Sequence, residues 1–217
     1  MPLRLYLLRN AETDYCRTGR YCSRDGVCLS ERGQQMANYF AKRYGHLDWK
    51  ALYCSPLEHA AETLQPLGRA TGVEIQVRDG LRELCFGKWE GMAPADVNQL
   101  FHDDYIRWLA DPAWNSPTQG EKGIRVARRS SNVLAEIEET YPDGNVLVVS
   151  HKATLRIMMC TLLGVDVGRY RDRLAMPVTA LSMVELMDYG PFVRNLNDCS
   201  HLPQHLRRPW AGNGSDG

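Results

Sequence analysis

The chain has 217 residues, 44% of them apolar, enough to bury one sizeable core. Its 26 lysines and arginines balance 26 aspartates and glutamates, so no global field steers it toward nucleic acid or a membrane surface; anion selectivity must come from a local pocket. No apolar run approaches the ~18 residues of a membrane helix, and the stretch after Met1 runs into Arg9 too soon for a secretory signal, so a cytoplasmic protein is expected.

Arg4 to Arg9 (RLYLLR) is apolar with polar interruptions and reads as a buried strand. After a polar, glycine-containing loop, Leu29-Ser30-Glu31-Arg32 opens a helix with Ser30 as N-cap and Met36, Tyr39 and Phe40 at helical spacing. Ala51 to Cys54 is a short strand. Ser55-Pro56 then has the composition of a helix start: a capping hydroxyl, followed by a ring where the N–H is unpaired anyway. Val73 to Val77 alternates as a third strand. Residues 92–120 combine Pro94, Pro112 and Pro117 with Trp108 and Trp114, and are expected to form a helical insertion over the site. Ile124 to Thr140 is a helix ended by Pro142-Asp143-Gly144. Asn145 to Ser150 (NVLVVS) is the clearest strand, followed by a helix from Thr154 to Leu163 that stops at Gly164. Ala180 to Leu186 is a late strand. Residues 1–208 are expected to be one domain, with 209–217 a disordered tail.

Alternating strands and helices imply an α/β fold, a three-layer αβα sandwich with a mostly parallel central sheet. Its site is expected beyond the carboxyl ends of the strands. The seven cysteines imply no metal. Cys54 and Cys160 sit in apolar runs as small hydrophobes, and Cys16, Cys22 and Cys28 have a spacing unlike a zinc site. Cys199, His201 and His205 fare no better, because Pro203 breaks the helix that would align the histidines.

Five blocks carry the chemistry. Residues 8–13 (LRNAET) and 149–156 (VSHKATLR) leave strands with reactive side chains; residues 29–35 (LSERGQQ), 55–60 (SPLEHA) and 81–91 (LRELCFGKWEG) lie between them. In order and spacing they resemble the histidine phosphatase (phosphoglycerate-mutase-like) superfamily, whose blocks read L-R-H-[GA]-E-T, L-T-x-x-G-x-x-Q, S-P-L-x-R-A, L-R-E-x-x-F-G-x-W-E-G and V-S-H-[GK]-x-T-x-R. The resemblance spans residues 3 to about 190.

The family uses a histidine after the first arginine as phosphoryl acceptor, two arginines and a second histidine to hold phosphate, and a glutamate to protonate the leaving group. The resemblance therefore makes Arg9 a phosphate clamp, His151 the second histidine and Glu83 the proton donor, and places Thr13 and Lys152 with the substrate-binding residues. Two positions depart from the pattern. Asn10 stands where the nucleophile belongs, and a carboxamide nitrogen, delocalised into its carbonyl, cannot form a stable phosphoryl-enzyme. His59 stands where the second arginine belongs. It replaces a permanent charge with a group of reference pKa about 6.5, and losing a charged phosphate contact costs roughly 1.5–3 kcal/mol.

Three functions follow from this pattern. The first is a repurposed enzyme in which Glu83, His151 and His59 do acid–base chemistry on an anionic or polar small molecule held by Arg9, Asn10, Thr13 and Lys152. The second is a non-catalytic binder of a phosphorylated ligand or partner, and the third an ordinary phosphomonoesterase or mutase carrying an engineered Asn10. No cofactor is implied, because the family's chemistry uses none. A homodimer is left open. Trp89 is read as packing behind the Glu83 loop, Gly120-Glu121-Lys122-Gly123 as a loose match to the family's G-E-S region, and Arg125, Arg128 and Arg129 as a solvated helix face.

Overall fold

The computed structural model describes residues 2–207, so the expected tail lies outside the described residues. The chain opens with strand β1 (Leu3–Arg9). The loop behind it, read as irregular, contains one short helix, α1 (Asp14–Thr18), whose first turn is capped by the Thr13 hydroxyl. Helix α2 (Glu31–Tyr44) starts where the pattern places it, because Ser30 Oγ accepts from the Gly33 N–H at 3.0 Å. Strand β2 (Trp49–Cys54) leads to α3 (Glu58–Thr71). Here the expected serine cap is corrected: the N-cap is Leu57, with no side-chain bond, since Ser55 Oγ turns instead to the Leu57 N–H and to His151.

Gly72 ends α3 in the left-handed region at φ 72°, and Val73 and Glu74 are used up before pairing with β2 begins, so β3 is only Ile75–Val77. The segment expected as a helical insertion holds α4 (Pro94–Leu100) and α5 (His102–Ala110). Next come α6 (Gly123–Thr140), β4 (Gly144–Ser150) and α7 (Lys152–Leu163). Helix α7 begins two residues earlier than its local pattern suggests, because Glu83, far away in sequence, caps its first turn. A short α8 (Tyr170–Arg173) precedes β5 (Leu181–Met187) and β6 (Gly190–Asp198). Strand β6 had no signal in the sequence. It is an edge strand with most side chains exposed or half-buried, so no clean alternation marks it.

The strands form one sheet in the order β3-β2-β4-β1-β5-β6, parallel through the first four and antiparallel in the last two. Side chains of successive strand residues point to opposite faces, and the core divides accordingly. Leu5, Leu7, Tyr53, Val146 and Val148 meet Val133 and Ile137 of α6 and Leu155 and Met158 of α7. Leu8, Leu52, Cys54, Leu147 and Val149 meet Phe40 of α2 and Leu64 and Leu67 of α3 on the other face. The result is three layers, in which each fully buried aliphatic contributes about 1.5–3 kcal/mol.

The order β2-β4-β1 matters most for the site. These neighbours are parallel, with Cys54 opposite Val149 and Arg9 opposite Ser150, so their carboxyl ends line up on one edge. The ladder continues one residue further: the Asn10 N–H donates to the Ser150 carbonyl at 2.8 Å and the Ser55 N–H to the Val149 carbonyl at 3.0 Å. Asn10, Ser55 and His151 are thereby set side by side.

Candidate anion-binding site

A cavity of about 540 Å³ lies over this edge. The seven residues selected from the sequence, Arg9, Asn10, Thr13, His59, Glu83, His151 and Lys152, all line it. Arg9 is the last residue of β1 and only 8% exposed; its guanidinium donates to the Met176 carbonyl and, at 3.7 Å, to Cys16 Sγ, while Nε meets no acceptor among the described residues. Asn10 is buried, and its carboxamide N–H donates to the Ala11 carbonyl at 2.9 Å. Thr13 caps α1 and also donates to Cys16 Sγ at 3.3 Å. Lys152 is the first residue of α7.

Glu83 acts as the cap of α7. One oxygen accepts from Leu84 N at 2.8 Å, Thr154 N at 3.1 Å and Thr154 Oγ1 at 3.2 Å, and the other from Ala153 N at 3.1 Å. A carboxylate here satisfies unpaired N–H groups of the helix and meets the positive end of its dipole. Arg129 holds the same loop from behind, donating to the Gly80 and Glu83 carbonyls and pairing with both oxygens of Glu121 at 3.0 Å. Arg125 and Arg128 are exposed, but Arg129 departs from the solvated face expected of it, because α6 packs its side chain onto the Glu83 loop. Trp89 is fully buried, with its indole N–H donating to Thr118.

The two histidines meet each other. His59 Nδ1 lies 3.1 Å from the Val27 carbonyl, His59 Nε2 lies 3.1 Å from His151 Nδ1, and His151 Nε2 lies 2.7 Å from Ser55 Oγ. A carbonyl can only accept, so His59 carries its hydrogen on Nδ1 and, when neutral, offers a lone pair at Nε2. His151 must then donate from Nδ1 and accept at Nε2 from the Ser55 hydroxyl. Every hydrogen bond of this Val27–His59–His151–Ser55 relay is satisfied with both rings neutral. Burial acts in the same direction: it lowers the His59 pKa, against the opposing pull of the Val27 carbonyl and Glu62, and holds His151 well below its ordinary value, helped by His59, Arg129, Arg9 and Arg82. All four ring nitrogens are thus bonded inside the protein, and no permanent charge stands at position 59.

The structure adds lining residues that the sequence reading passed over. Cys16, one of the three evenly spaced cysteines, stands on the cavity wall beside Arg9 and accepts from it, and Cys199 lines the cavity too. His201 instead packs edge-on against Phe40. Arg156 closes the last of the five sequence blocks and was within reach of that pattern. Arg171, whose guanidinium lies 3.9 Å over the Trp108 ring, carries no local signal at all.

The chain is similar to known proteins along most of its length. A family model described as histidine phosphatase superfamily (branch 1) matches residues 5–199. Phosphoserine phosphatase 1 of Hydrogenobacter thermophilus is 28% identical over 200 residues, covering 92% of this chain and 94% of that protein. The bifunctional protein Rv2228c of Mycobacterium tuberculosis is 32% identical over 206 residues and 93% of this chain, which spans 55% of that longer protein. The native structure of mycobacterial glucosyl-3-phosphoglycerate phosphatase Rv2419c superposes with a TM-score of 0.82 at 25% identity, covering 91% of this chain and 99% of that one.

Proposed function

The chain belongs to the histidine phosphatase superfamily, branch 1, and from that premise we propose that its cavity binds a small phosphorylated molecule without passing the phosphoryl group through residue 10. One observation carries the reading: the side chain at the strand end, where the resemblance puts the acceptor imidazole, is a buried carboxamide bonded to the Ala11 carbonyl. An amide nitrogen has no basic lone pair to offer phosphorus. Arg9, by contrast, keeps a planar fork of donors at the cavity wall, the geometry that suits an oxyanion. The named activities of the relatives, on phosphoserine and glucosyl-3-phosphoglycerate, support a phosphorylated small molecule as the ligand class.

Inorganic phosphate should therefore raise the melting temperature of the protein, and Arg9→Ala should remove most of that shift. Intact-mass analysis after incubation with a phosphate ester should show no phosphoryl adduct. A covalent phosphate that forms and turns over in this cavity would sink the proposal.

A second reading is acid–base catalysis on the bound ligand, favoured by the location of Glu83 and His151 in the same cavity as Arg9. It requires His151 to release Ser55 or His59 when the ligand enters, since both its nitrogens are bonded in the free protein. Its signature is a turnover that Glu83→Gln abolishes and Asn10→Ala barely changes. Turnover that survives Glu83→Gln rules it out.

A further inference from the structure

We infer that His59 and His151 form one proton-binding unit, and that a doubly charged anion enters the cavity together with a proton that this pair takes from solvent. This rests on the phosphate reading above and says how the chain makes up for the permanent charge missing at position 59. The two rings lie edge to face with centroids 4.8 Å apart; both line the cavity and both are buried. In the neutral relay the hydrogens run one way: Ser55 Oγ donates to His151 Nε2, His151 Nδ1 to His59 Nε2, and His59 Nδ1 to the Val27 carbonyl. One more proton fits without moving a heavy atom. It enters at His151 Nε2, and the Ser55 hydroxyl turns from donor to acceptor, as its oxygen already is toward the Leu57 N–H at 3.3 Å. The hydrogen between the rings, across 3.1 Å, then belongs to a single cation. A second proton would set two N–H groups against each other across that gap, so the pair has room for one.

The charges around the pair decide when that proton stays. Burial disfavours the cation on both rings. At His59, the Val27 carbonyl and Glu62 of α3 favour it and Arg9 opposes it. Glu62 is itself engaged by the Leu29 N–H at 2.7 Å. At His151, Arg129 of α6, Arg9 of β1 and Arg82, next to Glu83 in the chain, all oppose it. Glu83 and Lys152 line the same cavity, and Glu83 is committed to the N–H groups of α7. Arg9 is thus the one group on the list that acts on both rings and also faces the ligand. An anion bound there cancels the repulsion of the guanidinium and adds an attraction of its own, so a proton held off in the free protein becomes favourable in the complex. A dianion then meets one permanent charge at Arg9 and a second that arrives with it. The free cavity is spared the cost of a buried imidazolium.

The test is titration calorimetry with sulfate, a dianion that exchanges no proton of its own near neutral pH, in buffers of different ionisation enthalpy at one ionic strength. The slope of observed heat against buffer enthalpy should give about one proton taken up per sulfate near pH 6.5, and affinity should fall about tenfold per pH unit above it. The sign follows from the charges: the free pair is neutral there, the bound pair is not, and a rising pH withdraws the proton that binding needs. His59→Arg, which makes the charge permanent, should bind sulfate with no proton uptake and with an affinity that is flat in pH. His59→Gln should bind at least about tenfold more weakly near pH 6.5, again without uptake. Wild-type protein that binds sulfate with a zero slope from about pH 5.5 to 8 overturns the inference and leaves the anion-binding reading intact. A His59→Gln variant that still takes up the proton overturns the shared unit, because His151 alone would then hold it. Should either variant fail to fold, the wild-type slope decides the matter by itself. Failure of both sulfate and inorganic phosphate to bind wild-type protein overturns the anion-binding reading and this inference with it.

Discussion

His201 shows how one side chain sets a property of the whole protein. It is 6% exposed, neither ring nitrogen has a partner among the described residues, and its ring packs edge-on against Phe40 at 5.3 Å and Tyr44 at 5.9 Å. Burial in that aromatic surrounding lowers its pKa to about 4, with Asp198 opposing. The folded value lies below the unfolded one near 6.5, so the unfolded chain binds more protons between them. Stability is full above pH 6.5 and declines as pH falls toward 4, by at most about 3 kcal/mol from this residue. His59 and His151, also held neutral by burial, act in the same direction. His201→Phe should keep the aromatic packing and flatten the fall of melting temperature between pH 6.5 and 4.5. Parallel curves for wild type and variant would show that another group controls acid stability.

At the scale of elements, the site depends on how closely α2 approaches the loop behind β1. Gly33 lies in the first turn of α2, and a Cβ there would sit well inside contact distance of the Glu12 carbonyl. That carbonyl accepts from Ser30 N at 2.9 Å, and the Glu12 side chain is buried with Ser30 Oγ 3.1 Å from Oε1. Gly33→Ala must therefore push α2 away from the segment that carries Arg9, Asn10 and Thr13, because backbone cannot yield as a side chain does. The expected cost is about 3 kcal/mol or more, read as a lower denaturation midpoint together with weaker phosphate binding. An alanine variant as stable as wild type would mean that the loop shifts freely. The sequence block 29–35 located this glycine but not its reason, since the clash is with a residue twenty-one positions earlier. Strands β1, β2 and β4 were legible because burial writes itself into runs of apolar residues. Strand β6 was not, because an exposed edge imposes no such pattern.

For the molecule as a whole, the balanced composition is expressed in ion pairs spread over the described residues: Glu185, Glu136 and Asp48 pair with Arg4, Arg78 and Lys50, and Asp14 with Arg17 on the cavity rim. By itself the sequence determined the layered α/β fold, the edge of the sheet on which the site lies, and a set of seven residues that line one cavity. Strand and helix periodicities and strand-end motifs are local, and a chain of parallel strands brings its carboxyl ends together without further instruction. Only the tertiary structure decided what those residues do to one another. It paired His59 with His151, turned Ser55 from a helix cap into a partner of His151, made Glu83 the cap of α7, and laid Arg171 on Trp108. A lone pair, a proton position or a stacked guanidinium is set by neighbours in space, here many residues away along the chain, and local pattern contains no term for them.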